Sequence, residues 1–274
     1  MLKRLCLILL FLSPTYGAAA QGQARLDPLI NVLELREIFA VMREEGLAYG
    51  DDLDQALLQG AGGAGWQSSV SGIYEPERIW QTFLPPLQAA LQDQDTQAMT
   101  AFFSTRQGRQ ITALELSARR AMLEDAQEQA SRATYRAMVA QNDPRLALLS
   151  ELIEANDLVE FNVMGAMNAS YAFYTGLVDG KAFDHNLTQE DILKDVWSQE
   201  AEIRADTTEW LFAYLVLAYA PLSDADLQAY IDFSNTEAGQ ALNMALFAGY
   251  DAVFSTVSKA LGLSAAQIMR AEAL

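Results

Sequence analysis

The sequence predicts an all-α protein, a multi-helix bundle made of two tandem related units, and three observations predict it. Apolar residues recur mostly at spacings of three and four, the helical period. Alternating apolar and polar runs of the kind that make strands are scarce. Two stretches also read as copies of one another. Laid ungapped, Ile79 to Met122 matches Trp210 to Val253, pairing Leu84 with Leu215, Leu91 with Leu222, Phe102 with Phe233, Thr105 with Thr236 and Gly108 with Gly239. A repeat of this kind marks a unit that buries an apolar face against its neighbours, and the repeated positions hold no reactive chemistry.

The elements follow in order. Residues 1–20 have the secretory pattern: Lys3 and Arg4, an apolar stretch from Leu5 to Leu12, then Pro14 and small residues ending at Ala18, Ala19 and Ala20. That predicts export to the periplasm with cleavage near Ala20, or at the second small-residue site ending at Ala24. The apolar stretch falls far short of the roughly 20 residues that span a bilayer. Cys6 lies inside it, so the mature chain would hold itself by packing, without disulfides.

The first unit is expected over residues 21–141. Asp27 and Pro28 make a helix start whose Leu29, Leu33, Val41 and Met42 share one side, with Gly46 as its stop. A short helix over residues 51–59 follows, and the glycine-rich run from Gly60 to Gly72 predicts a flexible loop. The first repeat copy begins near Glu75 and bends at Pro85 and Pro86, where a proline lacks its amide hydrogen. A long helix then extends from about Arg106 towards Ala140. Its small-residue stripe of Ala118, Ala126, Ala130, Ala133 and Ala137 predicts a central packing helix, while Glu115 with Arg119 and Glu128 with Arg132 predict exposed pairs four residues apart.

The second unit is expected over residues 142–274. Asp143 and Pro144 mark the joint, helices cover about 144–156 and 157–178, a polar loop spans 179–186, and the second copy follows from Thr188. The apolar run from Trp210 to Leu222 is too short to cross a membrane, and Glu160, Asn162 and Asn168 would be costly in lipid. Both stretches predict buried helices, and no membrane span is expected in the mature chain.

Charge narrows the partners. The formal charge is -18, more negative still once Lys3 and Arg4 are removed, and such a field repels phosphate backbones and anionic lipid. Nucleic acid is therefore not expected as a partner, and a protein or another cell-envelope component is.

Few residues offer chemistry. The run Gly60, Gly62, Gly63, Gly65 follows no strand and precedes no Gly-Lys-Ser/Thr, so phosphate binding is not expected. His185 is the sole imidazole, which leaves zinc and histidine-carboxylate iron sites without ligands. Met164 and Met167, with Tyr171 and Tyr174 on the same helix, could offer thioethers to copper, although core filling is the usual role of such methionines. Asp93, Asp95, Asp224 and Asp226 precede short helices, where carboxylates favour the helix dipole, and they supply too few oxygens for calcium. Asp195, Glu202, Asp206 and Glu209 fall close to one helix face. Two of them could serve a glycan hydrolase as acid and base, but a solvated face explains the spacing as well. No cofactor is expected, and no catalytic constellation is recognisable.

What remains is the shared signature Phe-x-x-Thr-x-x-Gly, given by Phe102, Thr105 and Gly108 and again by Phe233, Thr236 and Gly239. Its physical reading is structural: the threonine caps a helix, the glycine lets another helix approach, and the phenylalanine seals the junction. With Asp226, Leu227 and Leu242 around the second copy, it resembles a family of small exported bacterial helical proteins, the domain of unknown function 2059 (DUF2059), here in two tandem copies. The resemblance covers about 45 residues per copy. It departs at the position after the glycine, where members often carry a basic residue; the second copy has Gln240 there and the first has Arg109. It implies an all-α exported protein and supplies no mechanism.

Overall fold

The computed structural model describes residues 25–183 and 188–272, so the predicted leader and the loop around His185 lie outside the described residues. Among the described residues the protein is all-α, a multi-helix bundle. Helix α1 occupies residues 25–32, and a turn at Leu33 and Glu34, the latter with φ of 50°, leads into α2 (Leu35–Leu57). Gly46 does not stop α2. A Cβ there would stand 2.2 Å from the Tyr74 ring, so the glycine seats Tyr74 against the helix, and residues 51–57, expected as a separate helix, complete α2.

The expected flexible loop is largely helix α3 (Gly63–Ile73). Trp66, Val70 and Ile73 recur at helical spacing and are buried, and the Trp66 indole donates to the Gly50 carbonyl at 2.8 Å. Apolar periodicity outweighed glycine content here. Helix α4 (Pro76–Ala90) runs through Pro85 and Pro86 without ending, clamped by buried Ile79, Trp80, Phe83 and Leu87. Short α5 (Thr96–Ser104), capped by Asp95, precedes α6 (Arg106–Ala121).

The long central helix is not formed. A turn at residues 122–124 separates α6 from α7 (Asp125–Gln141), although no glycine or proline stands there. The turn redirects α7 onto α11, where Tyr135 stacks on Phe212 at 4.8 Å and Arg132 and Arg136 reach Glu209. The alanine stripe consequently faces outward: Ala126, Ala130, Ala133 and Ala137 are all exposed, and Ser131 is the buried residue of α7.

Helices α8 (Arg145–Ala155) and α9 (Leu158–Asp179) match expectation. They are followed by α10 (Gln189–Ser198), opened by a capping box between Thr188 and Asp191, and α11 (Glu200–Tyr219). Ser223 caps α12 (Asp224–Ser234), so Asp224 and Asp226 sit in its first turn, and α13 (Glu237–Glu272) follows.

Helix α9 lies parallel to α13. Phe161 stacks on Phe247 at 4.5 Å, and farther along both helices Gly176 and Gly262 interleave, a Cβ at either landing within 2.3 Å of the other helix's backbone. Close approach of this kind is possible only without side chains at the crossing. The largest core cluster joins residues 26–103 to α13 residues from Ala241 to Ala266, and a second gathers α6, α8, α11 and α12 around Ile111, Leu149 and Tyr219. Helix α4 packs on α13, and α11 packs on α6. Among the described residues no helix is long and apolar enough to cross a membrane.

Candidate functional site

The signature residues build two joints of the same local design. The Thr105 hydroxyl accepts from the Gly108 amide at 2.9 Å and donates to the Phe102 carbonyl at 2.7 Å. The Thr236 hydroxyl accepts from the Gly239 amide at 3.0 Å and donates to the Phe233 carbonyl at 2.6 Å. One hydroxyl thus serves a free amide at one helix start and a free carbonyl at the preceding helix end. The helix that approaches each glycine is the one just before it: a Cβ would stand 2.3 Å from the Phe102 carbonyl oxygen at Gly108 and 2.1 Å from that of Phe233 at Gly239.

The joints also touch. Phe102 and Phe233 stack with centroids 4.1 Å apart and planes within 7°, and Phe103 and Tyr230 meet this pair. The structure brings all six signature residues to one place, and none of them supplies a reactive group.

Behind the stacked rings, α6 and α13 flank a partly open cavity of about 210 Å³. The register used for the repeat puts corresponding residues on its two walls: Thr112, Glu115 and Arg119 from α6 face Asn243, Leu246 and Tyr250 from α13. One wall is polar and charged, the other largely apolar. Leu33, Leu35 and Ile38 close one side, and Tyr214 and Tyr230 another.

Glu115 and Arg119 are not the exposed pair that their spacing suggests. The Arg119 guanidinium holds Glu45 of α2 through two bonds of 2.7 and 2.8 Å, and these side chains keep 26% and 31% of their surface accessible. Burial opposes the charge on Arg119, but hydrogen bonding to Glu45 and its negative charge prevail, so the guanidinium stays protonated. Glu115 has no such partner. Its carboxyl accepts from the Tyr219 hydroxyl and also meets the Tyr230 phenol, and the Tyr214 hydroxyl donates to the Glu115 backbone carbonyl at 2.9 Å. Burial pushes its pKa up to about 7, with the two phenols pulling the other way. Burial, reinforced by the Glu115 charge, likewise raises Tyr214, Tyr219 and Tyr230, and it carries Tyr250 to about 12. All four phenols are neutral near pH 7.

One signal of this cluster was available in sequence. Glu115 falls on the inward stripe with Ile111, Ala118 and Met122, where a carboxylate is out of place.

The other candidates stay apart. Asp195, Glu202 and Asp206 are exposed and Glu209 is partly so. Asp206 pairs with Arg132 at 3.0 Å, and Glu209 is held below the ordinary carboxylate range by Arg136. These carboxylates line a surface of ion pairs. Met167 packs with Val163, Ile192 and Val196 while Met164 is 49% exposed, so the two sulfurs do not share a pocket. His185 lies outside the described residues. Among the described residues no group of three or more His, Cys, Asp or Glu side chains is placed to hold a metal ion. Compared with protein-family models, curated proteins and solved structures, the chain matches none.

Proposed function

We propose that this is an exported, periplasmic protein of the kind its signature resembles, acting as a non-catalytic binding module, with the cavity between α6 and α13 as its binding site. The two stacked joints carry the cavity's end, so duplication of a helical unit would have supplied a seat at the meeting of two copies. The observation that carries this reading is the unlike pair of walls. A core selected only for stability would place apolar residues opposite Leu246 and Tyr250, because a carboxyl withdrawn even partly from water is costly to desolvate. Keeping Glu115 there fits recognition of a ligand with one polar end.

The size limits that ligand. A cavity of about 150 Å³ holds benzene, so this one suits a molecule of roughly ten non-hydrogen atoms. The test is ligand-observed NMR with fragments of that size, on wild type and on Leu246→Trp, which fills the cavity. Hits are expected in wild type and lost in the variant, whose helicity is retained. Hits that persist in the variant, or none at all, would refute the site. Export is tested by mass spectrometry of cell-fractionated protein, with a terminus near Gln21 expected and an intact Met1 in membranes as the refuting result.

A cell-wall glycoside hydrolase is the second reading, because the raised pKa of Glu115 is that of a general acid. Such chemistry needs a second free carboxylate, and Glu45 is committed to Arg119. Soluble glycan released from peptidoglycan by wild type and not by Glu115→Gln would favour it over binding.

A further inference from the structure

Resting on the cavity as a binding site, we infer that its ligand is a small organic cation, an ammonium group carried on an apolar or aromatic body. The titratable groups that line or back the cavity come from few elements. Helix α6 gives Glu115 and Arg119, α11 gives Tyr214, α12 gives Tyr230 and α13 gives Tyr250, while Glu45 of α2 and Tyr219 of α11 stand behind them as partners of Arg119 and Glu115. Arg119 and Glu45 close on each other as a bidentate pair, which leaves their sum at zero. Glu115 is the group left over. Below about pH 7 a proton balances it in the empty protein, and a bound cation would balance it equally well.

The surroundings suit that exchange. Neutral phenols offer oxygen lone pairs and electron-rich ring faces, both of which attract an ammonium ion. Leu246, Leu116 and Phe103 offer the apolar body its contacts. An anion would meet the Glu115 carboxyl and a guanidinium already neutralised by Glu45. A neutral ligand would gain at most a neutral hydrogen bond from the carboxyl, weaker than the charge-assisted one an ammonium makes to a carboxylate. The formal charge of -18 also raises the cation concentration near the protein.

Benzylammonium, benzyl alcohol and benzoate share one shape and differ in charge, and the first remains a cation throughout pH 5.5 to 8. Binding of each to the full chain is measured by calorimetry at both pH values, with wild type, Glu115→Gln and Leu246→Trp. At pH 8 the amine is expected to bind more tightly than the alcohol by about tenfold or more, as an ammonium against tyrosines and a carboxylate allows. At pH 5.5 the advantage shrinks, since the amine must then displace a proton, and proton release accompanies its binding. In Glu115→Gln the advantage is gone at both pH values. Equal or tighter binding of the alcohol or benzoate in wild type, abolished by Leu246→Trp, would overturn the cation while leaving the site in place. An amine preference unchanged by pH would overturn it too, without reliance on any variant. Absence of binding by all three probes would overturn the cation and count against the site itself.

Discussion

The joints at Thr105 and Thr236 use the same hydroxyl, the same glycine amide and the same phenylalanine carbonyl, yet the helices leaving them behave differently. Helix α6 stops after 16 residues and turns away, whereas α13 runs for 36. At matching positions α6 presents Glu115 and Arg119 and α13 presents Leu246 and Tyr250. The same three local residues thus make the same bonds at both joints, while the use of the helix behind each depends on what its side chains meet across the bundle. The walls differ where they face the cavity, and the joints that hold them in place are alike.

The likeness of the joints can be broken first. Replacing either glycine by leucine drives a side chain into backbone that cannot withdraw, so Gly108→Leu and Gly239→Leu should each destabilise by about 3 kcal/mol, the upper end for overpacking. Thermal melts of both variants read this out. A near-normal melt in one alone would show that the joints are not equivalent.

The unlike walls predict the next effect. Glu115 keeps its proton to about pH 7 when folded and loses it near the ordinary value of 4.5 when unfolded. The folded state therefore binds more protons between these values, and stability falls as pH rises through that window, by about 1–3 kcal/mol for this group. Denaturant titrations at pH 4.5 and 7.5 should show that loss in wild type and a smaller one in Glu115→Gln.

The contact between joints comes third. A double-mutant cycle on Phe102→Leu and Phe233→Leu should give a coupling of about 1 kcal/mol, as for stacked rings. Additive effects would mean the rings are neighbours without mutual stabilisation.

The smallest effect sharpens the contrast between α6 and α7. Ala130→Lys and Ala133→Lys on the outer face of α7 should each shift stability by less than about 0.5 kcal/mol, whereas Ser131→Leu on its inner face should cost more. Melts that rank Ala130→Lys above Ser131→Leu would place the packing face on the other side.

What could be read from sequence follows the same division between local and distant causes. Thr105, Thr236 and Thr188 announce their helix starts because a cap depends on residues three or four positions away. The stripe Trp66, Val70, Ile73 was equally local, but the glycines around it pointed towards a loop. Residues 122–124 carry no breaker, so the end of α6 was hidden; α7 turns there to meet Phe212 and Glu209, which lie far along the chain. Glu115 and Arg119 have the spacing of a surface pair; the stripe shared with Ile111 and Ala118 hinted that Glu115 turns inward, but their partners, Glu45 from α2 and Tyr219 from α11, come from distant parts of the chain. The cavity was not legible, because its walls are brought together by packing between helices that sequence spacing does not relate.

Helix α13 is synthesised after every other described helix, yet it supplies Leu242, Ala245, Val253, Val257 and Leu261 to a core whose remaining members lie mostly in residues 26–103. Those early residues emerge from the ribosome with no completed partner surface, and contacts across such sequence separations form slowly. For a protein proposed to leave the cytoplasm, the order of its helices leaves the closing of its largest core to the last of them.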